Sequence, residues 1–234
     1  MKNLENYFRI YQINNKKNSS NNSNIMFMRK DGIQKYDFPY SNYRIYESIL
    51  KFSNPNIKSH KFIPDCIVDE IVIDFDLKHN MNGFTESDFK NLPFNYRLVS
   101  TPSGGYHIRI NIIPVHLKSG REHEYYKKLF QEVRNAICNK YFSNYTFDLI
   151  PIFGLIGVIN STSKNGTYRL AYENTTNEII SIENMYKLLF NTDFKMNKTD
   201  DTLDIINKSK IENDIKYSKF SDHTINAIKS FYSQ

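Results

Sequence analysis

Two aspartates one residue apart, Asp74 and Asp76, end the β-rich run CIVDEIVIDFDL. Side chains alternate along a strand, so both carboxylates project from one face while Ile73, Phe75 and Leu77 project from the other. Carboxylates about 7 Å apart on one strand suit divalent cations, because hard ions take anionic oxygen ligands. Without a cation the pair repels, and one member ionises only at raised pH. Two solvated aspartates on a sheet edge have the same spelling. The apolar flank IVI speaks instead for a central strand, where two acids need something bound. In NYTFDLIPI, Asp148 alternates with Phe147 and Leu149 and is a candidate third acid. Alone it reads as a surface aspartate; converging on Asp74 and Asp76, it completes a two-metal site.

STPSGGYHIRI adds a second chemical element. Pro102 restricts the chain before the turn, and Gly104 and Gly105 can expose backbone N–H groups to a phosphate, with the Ser103 hydroxyl beside them. On the strand that follows, His107, Arg109 and Asn111 share a face opposite Tyr106, Ile108, Ile110 and Ile112. An imidazole there can donate to a phosphate oxygen and Arg109 can pair with another. A plain hairpin with an amphipathic strand explains the same residues. Downstream, GVINSTSKNGTYRLAYE sets Asn160, Lys164 and Arg169 around a glycine-containing turn, which is either a phosphate-reading strip or a hydrated hairpin. The remaining histidines, His60, His79, His116, His123 and His223, read as ordinary surface or core residues.

The elements that must position these groups follow from periodicity. Leu4, Tyr7, Phe8 and Tyr11 have helical spacing over residues 3–13. NNKKNSSNNSN, over 14–24, predicts a mobile loop. Ser41 is placed to cap a helix carrying Tyr43, Tyr46, Ile49 and Leu50. The acidic strand follows Pro64, and Thr85 with Asp88 opens a short helix. NYRLVS and YHIRINII are strands. From about Glu122 to Tyr141, Tyr126, Leu129, Phe130, Val133 and Ile137 line one helical face. YTFDLI, GLIGVIN and TYRLAYE are strand-like, and from Ser181 the tail is helical and polar, with Ile182, Tyr186 and Leu189 as its apolar stripe. Helices interrupt strands without strict βαβ regularity, so the class is α+β with a mostly antiparallel sheet.

Composition narrows the function classes. Length suits one domain with a small appendage: 1–195 as the body and 196–234 as a helical tail. Two cysteines, Cys66 and Cys138, supply neither a disulfide framework nor a four-ligand zinc site and favour a reducing compartment. No segment reaches the roughly 20 apolar residues of a membrane span and no secretory leader is visible, so a cytoplasmic protein without a membrane partner is expected. Lys+Arg 31 against Asp+Glu 25, with 17 Tyr and 17 Phe, suits nucleic acid, where cations meet phosphates and rings meet bases.

In their order, IVIDFDL, SGGYHIRI, TFDLI and NSTSKNGTYR resemble the archaeo-eukaryotic primase superfamily, over roughly residues 25–175. Upstream, MFMRKDGI, YESILKF and IKSHKF look similar as well. The resemblance implies an RRM-like antiparallel catalytic unit packed with an N-terminal α/β unit, the active site lying between them. It implies that Asp74, Asp76 and Asp148 hold two Mg²⁺ or Mn²⁺ ions. Ser103 and His107, with Gly104, Gly105, Arg109, Lys164 and Arg169, would bind nucleoside triphosphate. The implied reaction is nucleotidyl transfer onto a 3′-hydroxyl, templated by single-stranded DNA. The chain departs from the family in two places. Cellular small subunits usually carry a Cys/His zinc element, and many members have an arginine where this chain reads IPIFGLIG. No Walker A motif is present, so a compact plasmid- or virus-type primase-polymerase working with a separate helicase or helical accessory subunit is expected. Two other classes fit part of the pattern. A non-catalytic RRM-like nucleic-acid-binding module leaves the paired acids unexplained, and a two-metal nuclease would cut without added nucleotides.

Overall fold

The computed structural model describes residues 7–15, 24–27, 43–53, 65–80, 83–148, 150, 152, 154–163 and 165–196. Its strands are β1 (Phe8–Asn15), β2 (Asn24–Phe27), β3 (Tyr43–Phe52), β4 (Cys66–Phe75), β5 (Tyr96–Ser100), β6 (Tyr106–Leu117), β7 (Leu155–Gly157), β8 (Thr162–Ser163), β9 (Gly166–Thr167) and β10 (Arg169–Asn174). The helices are α1 (Gly120–Tyr141) and α2 (Ile182–Phe190), with short 3₁₀ turns at Leu77–His79 and Glu86–Phe89. One sheet runs β10-β5-β6-β4-β3-β1-β2, with β7 also on β3, and every pair in it is antiparallel. The class is therefore α+β with an antiparallel sheet.

Chemistry is divided between the two faces of this sheet. Ile71, Ile73 and Phe75 alternate with Glu70, Val72 and Asp74 along β4, and the register carries each parity across β6 and β5. The first set joins Ile108, Ile110, Tyr96 and Leu98 in the core with Leu129, Phe130, Val133 and Ile137 of α1. Each such side chain contributes about 1.5–3 kcal/mol by leaving water. A capping box starts α1: the Ser119 hydroxyl accepts the Glu122 N–H and the Glu122 carboxylate accepts the Ser119 N–H. Thr85 and Asp88 make the same reciprocal cap on their 3₁₀ turn.

Two expected helices are strands instead. Over 3–13 the described residues form β1, which pairs with both β2 and β3. A register shift between Arg9 and Tyr11 breaks the period-2 pattern, so the alternation that marks a strand is not visible in the sequence. Tyr43–Phe52 is β3, held by β1 on one side and by β7 and the start of β4 on the other. Residues on both of its faces are buried, Ile45, Ile49, Leu50 and Phe52 together with Glu47 and Ser48, so polar and apolar residues do not alternate and the apolar ones match a helix face by chance. Around Asp148 the expected strand is reduced to a single bridge to Asp74. Asn14, Asn15 and Asn24 of the expected loop belong to strands, while 16–23 lie outside the described residues, as do Ser41, the segment IKSHKF and 197–234 of the tail. The tail's first part is α2, capped by Ser181. Among the described residues no helix is long and apolar enough to cross a membrane.

Candidate functional site

Asp74 lies where three chain segments meet. It pairs with His107 of β6 on one side and forms a two-hydrogen-bond bridge with Asp148 on the other, N to O 3.2 Å and 2.7 Å. Strand spacing thus sets Asp148, Asp74 and His107 in a row across the sheet, about 5 Å from one to the next. The His107 Nε2 is 3.5 Å from the Asp74 Oδ1. Burial first, then Asp76 and Asp148, push the Asp74 carboxyl up to about 6. Burial, reinforced by Arg109, brings His107 down to about 4, so this imidazole is neutral near pH 7. Among the described residues its buried Nδ1 has no hydrogen-bond partner.

Beyond β4 the chain turns sharply, with Asp76 as the cap. Its carboxylate accepts the Lys78 N–H at 3.2 Å and lies 3.0 Å from the Lys78 ammonium. Burial acts to raise its pKa, but these bonds from Lys78 outweigh that and lower it. The turn brings in His79: one ligand atom each from Asp76, His79 and Asp148 lies within 4.8 Å of the others. Two carboxylates and an imidazole form a donor set that fits Mg²⁺ or, with its nitrogen, Mn²⁺. Asp74 lies alongside as a third negative charge. The buried Asn80 fixes the arrangement. Its Nδ2 donates to the Asp76 carbonyl at 3.0 Å and the Thr146 carbonyl at 2.8 Å, and its Oδ1 accepts the Thr146 N–H at 2.7 Å. The turn bearing Asp76 is thereby stapled to the segment bearing Asp148. The expectation of an ordinary histidine at position 79 misses this cluster, for which its place three residues after Asp76, one turn of helix, is the signal in the sequence.

The glycine turn lies on the His107 side of this row. Gly105 passes over the end of β4 so closely that a Cβ would sit 2.1 Å from the Phe75 carbonyl oxygen, and Gly104 has φ 88°. Their N–H groups are engaged within the turn: Gly104 donates to the Thr101 carbonyl and Gly105 to the Thr101 hydroxyl, both at 3.0 Å. In this conformation the two glycines therefore serve the close crossing and offer no free donors. Ser103 is exposed, with its hydroxyl 3.0 Å from that of Thr101. The β8–β9 hairpin approaches the same turn, since a Cβ on Gly166 would meet Pro102 at 3.7 Å. Lys164 lies outside the described residues. Asn160 is exposed, with φ 70°. Arg169 is in register with Ser100, and Ser100 with Tyr106, so it shares the face opposite His107.

Arg109 is not brought to the aspartates as a free donor. It is 3% exposed, and its guanidinium forks onto Glu70 at 2.8 and 2.9 Å and onto Glu47 at 2.7 Å. Arg9 of β1 adds a 2.9 Å contact to Glu70 and Arg97 of β5 one at 3.4 Å, while Arg9 and Lys51 both hold Asp69. Burial acts to raise the Glu70 pKa, but Arg109 and Arg9 outweigh it and hold this carboxyl well below the usual range. Period-2 spacing from Asp74 back to Glu70, and from His107 on to Arg109, pointed to a shared face; the partners from β1 and β3 had no signal in the sequence.

No protein-family model matches this chain, and neither a curated protein nor a solved structure is significantly similar to it.

Proposed function

We propose that this protein is a metal-dependent nucleotidyltransferase of the primase-polymerase type, extending or starting chains from nucleoside triphosphates on a single-stranded DNA template. One observation carries the reading: Asp148, from a distant point in the chain, joins Asp74 and Asp76 at one sheet end, beside His107 and the Ser103–Gly105 turn. In this reading β4, β5, β6 and α1 form the RRM-like catalytic unit, β1–β3 belong to the N-terminal unit, and the cleft lies between them. Asp76, Asp148 and His79, with Asp74 beside them, would hold Mg²⁺ or Mn²⁺. Bound there, such ions activate a hydroxyl and neutralise a triphosphate. The neutral His107 gives or accepts one hydrogen bond next to the reacting phosphates, and Ser103 stands exposed on the glycine turn, its hydroxyl shared with that of Thr101. Arg109 is assigned to holding Glu70 and Glu47. A separate helicase or helical accessory subunit would complete the replication role.

The test is a product assay on single-stranded DNA with labelled nucleotides and Mg²⁺ or Mn²⁺, with and without primer. The wild type makes products and Asp74→Asn makes none while still binding DNA. Equal incorporation by the variant overturns the assignment of the acids. Cleavage of DNA without any dependence on nucleotides makes the site a nuclease instead.

A further inference from the structure

On the face that carries Asp74, a cavity of about 270 Å³ opens among charged side chains of β1, β3, β4, β5 and β6. Its cations among the described residues are Arg9, Lys51, Arg97 and Arg109. They face three carboxylates, Glu47, Asp69 and Glu70, which leaves one positive charge in excess. The excess resides on Arg97. Glu70 is already committed to Arg109 through two short hydrogen bonds and to Arg9 at 2.9 Å, so among the described residues Arg97 is left with the 3.4 Å contact. Among the described residues the buried Nε of Arg97 has no hydrogen-bond partner. Burial, and then Arg109, also lower the Arg97 pKa, as befits a cation short of counter-charge. An under-satisfied guanidinium in a polar cavity is a place for a planar or tetrahedral oxyanion, which it meets with paired N–H donors.

We propose that Arg97 forms a binding site for a phosphate group, separate from the aspartate cluster. Arg97 pairs with Arg109, and the next same-face pair is Val99 with His107, which puts the site about 7 Å along the strands from the His107–Asp74 row. A run of phosphates passing His107 reaches Arg97 next. Two sources share this chemistry, the polyphosphate of a free nucleotide and the backbone of a nucleic-acid strand. Binding here needs neither metal nor catalysis, so it stands or falls apart from the nucleotidyl-transfer reading.

The full-length protein in EDTA is titrated with sodium tripolyphosphate and, separately, with a labelled single-stranded oligonucleotide. The readouts are thermal stability for the first and fluorescence anisotropy for the second. Wild type is expected to bind at least one probe, and Arg97→Gln to weaken that binding by about tenfold or more, the loss of one charge-assisted fork. Arg97→Lys keeps the charge and loses less. Arg121→Gln, at an exposed arginine in the first turn of α1, leaves affinity unchanged. A loss confined to tripolyphosphate assigns the site to free nucleotide, and one confined to the oligonucleotide assigns it to a strand backbone. Absence of binding by the wild type, wild-type affinity in both Arg97 variants, or an equal loss in Arg121→Gln overturns the proposal. Asp74→Asn, which should end incorporation, keeps its tripolyphosphate affinity, so the two readings fail independently.

Discussion

Two groups of three carboxylates share one face of the sheet, and they are treated in opposite ways. Glu47, Asp69 and Glu70 sit in the middle of the face and are met by Arg9, Lys51, Arg97 and Arg109. Asp74, Asp76 and Asp148 sit at its end, where the described residues beside them are the exposed Lys78 and His79 near Asp76 and a neutral imidazole on Asp74. The pKa directions record the difference: burial is outweighed by arginine at Glu70, which goes down, and reinforced by carboxylates at Asp74, which goes up. Among the described residues the fold provides several cations for one cluster and few for its neighbour, a contrast that supports the proposed role of the second as a cation site.

Glu70→Gln breaks the contrast most severely. It leaves Arg109 and Arg9 buried around a neutral amide, and a loss of about 3–5 kcal/mol is expected in urea unfolding. Retention of wild-type stability would mean that the cluster contributes nothing to the fold. Asp74→Asn acts in the other direction. In metal-free buffer at pH 7 it relieves a carboxylate held up at about 6, and stability should rise, on the order of 2 kcal/mol. Such a gain alongside lost incorporation is the usual mark of a site strained for function.

The pH dependence sharpens the comparison. A raised carboxyl binds its proton more tightly in the folded state, so the Asp74 contribution falls as pH rises from about 4 to about 6. A lowered imidazole does the reverse: the His107 contribution is lost as pH falls from 6.5 toward about 4. In the wild type the two nearly cancel between pH 4 and 6. In Asp74→Asn nothing at position 74 offsets the His107 slope, so stability should climb with pH more steeply than in the wild type across that window, as followed by thermal melts. A flat profile would show that His107 is not held neutral. The smallest effect is expected from Asn80→Ala. Loss of the staple should cost about 1–1.5 kcal/mol and loosen the Asp76–Asp148 geometry, read as weaker Mn²⁺ stabilisation in the same melts.

Much of the site's local chemistry was legible. The parity of Asp74 and Asp76, the strand carrying His107 and Arg109, the apolar face of α1 and the Thr85–Asp88 turn all follow from short-range spacing, and short-range spacing sets backbone geometry directly. The errors are equally physical. β1 and β3 have helix-like spacing because a register shift hides alternation in one and two-sided burial hides it in the other. Arg109 shares its strand face with His107, and whether an arginine on that face is free depends on Glu47 and Glu70, contributed by other strands.

The amino-acid sequence by itself determined which residues share a face, where α1 begins, and that the chain carries paired acids next to a glycine-rich turn, because those features depend on neighbours a few residues away. Only the tertiary structure decided which carboxylates are neutralised. Bringing Arg9 of β1 and Glu47 of β3 onto β4, and closing Asp148 and His79 around Asp76, requires pairing between segments far apart in the chain. Coulomb interactions then depend on those through-space distances, whatever the order of residues along the backbone.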